Sequence, residues 1–175
     1  LFRSPRDVKH LGDAIDKVAA NKGLASHDSD VTAVRGVYVA DTDAQAVADV
    51  ERDWVRHIEF NKKHFPVNYK DWKAPEQSLD DVTFRSLLDA GLMFVGSAAT
   101  VAERIRQFHR DSGGFGVFLM VTGRDWGTAA QRAKSMTLFA QDVISRLSDL
   151  VPARRAAWGA CEHDAATERE SRFRD

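Results

Sequence analysis

The segment GGFGVFLMVTGRDWG, residues 113–127, is an apolar run that ends on Gly123, Arg124, Asp125, Trp126 and Gly127. Arg124 can meet an anion there, and the indole of Trp126 can wall a planar cofactor or an apolar substrate. The structural alternative is favoured on position alone: Asp125 caps the next helix and Trp126 packs against it. A second group, Asp41, Thr42 and Asp43, follows the apolar run 32–40. Acidic and hydroxyl side chains at a helix start satisfy free N–H groups and the helix dipole, so capping is favoured over catalysis. Arg35 lies inside that run, and a buried charge needs a partner. A carboxylate outside this chain is the favoured partner, and a ligand in the pocket is the alternative.

The other reactive side chains carry less. His57 and His64 straddle a helix end, His109 sits among basic neighbours, and none has the spacing of a His-Glu-x-x-His metal site. Cys161 lies in the tail, far in sequence from any base, and there is neither a P-loop nor a nucleophile elbow. Gly96-Ser97 at a helix start can hold phosphate, although capping is the simpler role. No residue is assigned as catalytic and no metal is expected.

These positions must be placed by helices and strands. Ser4, Pro5 and Asp7 start a first helix, with Val8, Leu11, Ile15 and Val18 at helical spacing. TAVRGVYVA, residues 32–40, is rich in β-branched residues and reads as a strand. A second helix follows to about Phe60, with Ala46, Val47, Val50 and Trp54 inward. Residues 61–77 mix lysines, aromatics and prolines without a period. They read as a long loop whose Lys62, Lys63, Lys70 and Lys73 form a solvated surface or a lid. Ser78 caps a third helix that Gly91 closes, LMFV is a short connector, and Gly96-Ser97 opens a fourth helix with Val101, Ile105 and Phe108 inward. The run from Gly113 is the second strand. A last helix spans about Thr128 to Leu150 on the stripe Met136, Phe139, Val143 and Leu147. Residues 1–150 thus form one α/β unit and 151–175 a polar tail.

Both strands read as nearly continuous apolar runs, the pattern of parallel strands buried on both faces. Two strands make no stable sheet alone, and a complete (β/α)₈ barrel takes about 250 residues. The 175-residue chain, which opens on Leu1, is therefore expected to be the C-terminal part of such a barrel. It would pack on missing strands, a partner chain or its own copy. A net charge of −1 offers no nucleic-acid footprint, no run is long enough to span a membrane, and a single cysteine fits a reducing, cytoplasmic setting.

The runs VYVADTDAQA, FVGSAATVAERI, GGFGVFLMVTGRDWG and SMTLFAQDVISRL, in this order, resemble the C-terminal region of the bacterial luciferase-like flavin-dependent monooxygenases. The resemblance covers most of residues 1–150 and departs from the family pattern at Ala98, where a proline is usual, and in the tail. It implies a (β/α)₈ TIM barrel, usually dimeric, with the two strands as its seventh and eighth and residues 61–77 in a mobile insertion. It implies reduced FMN from a separate flavin reductase, O₂, and oxygenation of a small organic molecule. Coenzyme F420 and hydride transfer are the alternative within the fold, and an association module with an incomplete site is the alternative outside it. The main flavin-phosphate groups would lie upstream of this chain. Trp126 matches a strand-eight position that faces the flavin in some members, with Arg124 beside it. Arg35 matches a position that is often basic. The resemblance thus places Trp126 and Arg124 at the cofactor, and Trp126 and Arg35 at the substrate pocket.

Overall fold

The computed structural model describes residues 4–24, 31–65, 73, 77–123 and 125–150. Arg124, Cys161, the tail 151–175 and residues 66–72 and 74–76 of the expected insertion lie outside the described residues. The chain runs α1 (Pro5–Asn21), β1 (Thr32–Ala40), α2 (Asp43–His64), α3 (Phe84–Asp89), β2 (Met93–Ser97), α4 (Ala98–Asp111), β3 (Val117–Val121) and α5 (Ala129–Leu138). A π-helical turn, Phe139–Val143, and a short α6, Ile144–Arg146, continue the last helix.

The sheet has three parallel strands in the order β2-β1-β3, not two. The additional strand is the segment read as a connector. Met93–Ser97 pairs with the second half of β1, Gly36 to Ala40, whereas β3 pairs with the first half, Thr32 to Gly36. Its five residues are too few to show a period. A short apolar run between Gly91 and Gly96 is nonetheless what a buried strand bounded by turns looks like.

Alternation along β1 divides the core in two. Ala33, Val37 and Val39 meet α1 and α4 through Val8, Val101, Ile105 and Phe108. Tyr38 and Ala40 meet α2 and α3 through Val50, Trp54, Ile58 and Leu87. Helices therefore lie on both faces of β1, and its last six residues are all buried. β3 differs from expectation. It begins at Val117, and only Phe118 and Met120 pack inward, while Val117, Leu119 and Val121 are exposed because α2 and α3 cover only the β1–β2 part of that face.

Several helices end where local chemistry stops them rather than where the period suggested. Ser4 and Asp7 form the reciprocal capping box of α1, but of its apolar series only Val8 is buried; Leu11 and Val18 are exposed. α2 continues through His64, so residues 61–64 are helical rather than loop. The expected third helix is split: Ser78 caps a 3₁₀ turn over Leu79–Asp81, and Thr83 caps α3. Near the C-terminus Val143 is fully buried and Phe139 and Leu147 pack beside it, whereas Met136 points to solvent.

Candidate active site

At the end of β1 the capping roles are shared between two helices. Thr42 is the N-cap of α2, its hydroxyl accepting from the Gln45 N–H at 3.2 Å. Asp43 reaches across to the start of α4, where Oδ1 accepts the Ser97 N–H at 2.6 Å and Oδ2 accepts the Thr100 hydroxyl at 3.0 Å. A protein carboxylate thus fills the helix start at which a phosphate was the alternative to capping. Gly96 makes room for it: a Cβ there would lie 2.8 Å from Asp43 Oδ1 and 2.9 Å from Thr100 Cγ2. Asp41 forms an exposed ion pair with Lys134.

The Ser97 N–H, ahead of the Thr100 hydroxyl, holds the Asp43 carboxyl below its ordinary pKa of 3.8. A carboxylate with a lowered folded pKa contributes stability that is complete above the unfolded value and is lost as pH falls through the folded one. Asp43→Asn is expected to lower stability at neutral pH and to flatten its loss below pH 3.8, read by urea unfolding across that range. An acid limb as steep as that of the parent would exclude Asp43 as a contributor.

At the end of β3 the Trp126 ring lies in the core, 8% exposed, among Tyr38, Met93 and Trp54. Its centroid is 5.6 Å from that of Trp54. Two glycines accept the ring. A Cβ on Gly36 would come within 3.0 Å of it, and one on Gly123 within 2.0 Å of Nε1. The cap of α5 is Thr128, whose hydroxyl accepts from Gln131 N–H while Gln131 Oε1 accepts the Thr128 N–H at 2.8 Å. Asp125 is therefore not the cap of that helix. It lies on the wall of a cleft instead.

That cleft, about 1010 Å³, opens between the second half of α2 and residues 125–127, with Asp53, Arg56, His57, Phe60 and Lys63 along its α2 side. Partial burial pulls the His57 pKa below 6.5, and the Asp125 carboxylate opposes that shift. The His57 ring meets the edge of Trp54 at 5.0 Å, and Asn61 Nδ2 lies 3.1 Å from its Nε2. Asp125 and Gly127, the chain neighbours of Trp126, both line the cleft, whereas Trp126 itself is packed in the core and is not part of the lining. A smaller cleft of about 210 Å³ at the end of β1 is bounded by Tyr38, Asp49 and Gln131.

Arg35 is not brought to this place. Its side chain points to the opposite face of β1, 1% exposed, with the guanidinium carbon 3.8 Å from the centre of the Phe108 ring. Nε donates to the Gly91 carbonyl at 3.0 Å and a terminal nitrogen donates to the Val34 carbonyl at 2.7 Å. Burial lowers its pKa to about 10, so it remains a cation at neutral pH. Sequence reasoning missed His57, Tyr38, Asp49 and Gln131 as parts of this end of the sheet. Only Gln131 carried a signal, standing three residues after Thr128 in a capping-box pattern. Among the described residues no three His, Cys, Asp or Glu side chains gather as metal ligands, and no helix is long and apolar enough to cross a membrane.

A parallel sheet with reactive side chains gathered where its strands end is the arrangement of α/β barrel enzymes. The chain belongs to the luciferase-like monooxygenase family, whose model matches residues 1–114. Among its relatives is limonene 1,2-monooxygenase of Rhodococcus erythropolis, 30% identical over 141 residues that make up 80% of this chain and 35% of that protein. The oxygenating constituent of 3,6-diketocamphane monooxygenase from Pseudomonas putida, a type II Baeyer-Villiger monooxygenase solved in complex with FMN, superposes with a TM-score of 0.65. It is 21% identical, over 83% of this chain and 41% of that one. Monooxygenase RslO1 from Streptomyces bottropensis gives a TM-score of 0.58 at 15% identity, over 81% of this chain and 38% of that one. The chain therefore spans about a third of the length of the limonene enzyme. The likeness to the two solved structures establishes the fold, a luciferase-like α/β arrangement consistent with part of a (β/α)₈ barrel. The family model's match ends before β3, so Trp126 lies beyond it.

Proposed function

We propose that this chain is the C-terminal part of an FMN-dependent monooxygenase that transfers one oxygen atom of O₂ to a small organic substrate, with reduced FMN supplied by a separate reductase. Membership of the luciferase-like monooxygenase family carries the reading. A related fold solved with FMN supports the choice of cofactor.

The residues present fit a flavin in part. The cleft beside residues 125–127 is at the upper end of the range for small-molecule sites and has Phe60 in its lining, while Trp54 and Trp126 are packed in the core next to the lining residues Asp53, Asp125 and Gly127. Bound reduced FMN would supply the electrons that activate O₂. Of this chain, Trp126 would support the wall that faces ring or substrate, Phe60 would shield the cleft from water, and Arg124 would meet an anionic group. The exposed Val117, Leu119 and Val121 would be covered by the rest of the barrel.

The test is FMN binding by the full-length protein, followed as quenching of flavin fluorescence. Trp126→Ala is expected to weaken binding about tenfold or more, the scale of losing one large aromatic contact. Quenching identical in the parent and the variant would remove Trp126 from the pocket.

A further inference from the structure

The side chains that join β1, α2 and α5 above the smaller cleft meet on one carboxylate. Asp49 Oδ2 accepts the Tyr38 hydroxyl at 2.9 Å; Oδ1 accepts Gln45 Nε2 at 2.5 Å and Gln131 Nε2 at 2.7 Å. The consecutive elements β1 and α2 are thereby tied to α5, 82 residues further on, through a single group. Tyr38 is 1% exposed, and burial together with the Asp49 carboxylate pushes its phenol well above the usual value, so it stays protonated and donates.

The Gln131 amide cannot reverse its orientation without loss. Its oxygen accepts the Thr128 N–H at 2.8 Å, which leaves its NH₂ for Asp49. Residue 127 is pressed directly against this network. Gly127 has φ +64°, and a Cβ there would lie 3.0 Å from Gln131 Oε1 and 3.2 Å from the Tyr38 hydroxyl. Arg132 holds the same residue from the other side by donating to the Gly127 carbonyl at 2.6 Å. Trp126 is the preceding residue. The height at which its ring enters the gap over Gly36 is therefore set by where Gly127 is held.

From this we infer that Asp49 is a positioning residue: through Tyr38 and Gln131 it holds the β3–α5 loop so that Asp125 and Gly127 stay on the wall of the large cleft and the Trp126 ring stays packed against Gly36 and Trp54. The inference adds to the monooxygenase reading a residue that touches neither cofactor nor substrate. It rests on that reading only for the consequence in flavin binding.

Backbone hydrogen exchange of the full-length protein separates the two. In Asp49→Ala the amides of residues 125–128 are expected to exchange at least about tenfold faster, the factor implied by losing charge-assisted hydrogen bonds, while β1, β2 and α4 keep their protection. Tyr38→Phe keeps the ring packing and removes one donor, so it should give a smaller increase at the same amides. Asp49→Asn, which retains a carbonyl acceptor, should fall between Asp49→Ala and the parent. Unchanged exchange at residues 125–128 in Asp49→Ala would overturn the inference. So would a uniform increase across the chain in both Asp49→Ala and Tyr38→Phe, which would assign the network to global stability. Flavin titration of the same variants tests the other reading separately: faster exchange with unaltered FMN binding upholds the positioning role and removes the loop from the flavin site.

Discussion

Replacing Gly123 by alanine is expected to drive Trp126 out of the core. The new methyl group would lie 2.0 Å from Nε1 and 2.3 Å from Cδ1 and Cε2 of the indole, distances at which no small adjustment of side chain suffices. Either the loop shifts or the ring rotates away from Gly36, Met93 and Trp54. Overpacking of a filled core costs about 1–3 kcal/mol, and loss of the burial of a large aromatic side chain adds to it, so a cost of about 3 kcal/mol or more is expected in denaturant unfolding. The indole N–H resonance of Trp126 should move to a solvent-exposed position. A double-mutant cycle makes the cause specific: in a Trp126→Ala background, Gly123→Ala should cost far less, because the group it strikes is gone. Equal costs in both backgrounds would show that the glycine serves its backbone conformation and not the ring.

The second large effect is expected at Arg35. Its alkyl chain and guanidinium fill the space between β1 and α4, stack on Phe108, and satisfy the carbonyls of Gly91 and Val34. Arg35→Ala removes the stacking and the volume and leaves those two acceptors without their donor. A loss of about 3–5 kcal/mol follows from truncating a large buried side chain with its hydrogen bonds. Arg35→Lys should recover only part of this, since an ammonium has neither the planar face for Phe108 nor the fork that reaches two carbonyls. The FMN affinity of the protein that remains folded should be unaltered, because the guanidinium lies on the face of β1 opposite Trp126. Weaker flavin binding at undiminished stability would reinstate a ligand role for this arginine.

Arg35 also shows how sequence reasoning and structure divide the problem. A cation inside an apolar strand is recognisable as needing partners. The described partners include an aromatic ring and two main-chain carbonyls, none of which announces itself by charge or by spacing. Trp126 is the complementary case. Its place at the strand end was readable, but its depth was not, because the room for its ring comes from Gly36 and Gly123, one of which is 90 residues away. Asp125 had the type and position of a cap, yet Thr128 took that role because its side chain and that of Gln131 satisfy each other's N–H groups.

The sequence by itself determined the class: helices with legible caps at Ser4 and Ser97, parallel strands among them, and a reactive group of residues at the end of the last strand. Local rules suffice for this, since capping and apolar runs act over a few residues. Only the tertiary structure decided that Met93–Ser97 is a third strand, because so short a run becomes a strand only when β1 offers its edge. It also decided that one face of β3 stays exposed, since coverage depends on where α2 and α3 lie. And it decided that Asp49 gathers Tyr38, Gln45 and Gln131. Hydrogen bonds between positions 82 residues apart exist only once the chain has folded around β1, and no local pattern encodes them.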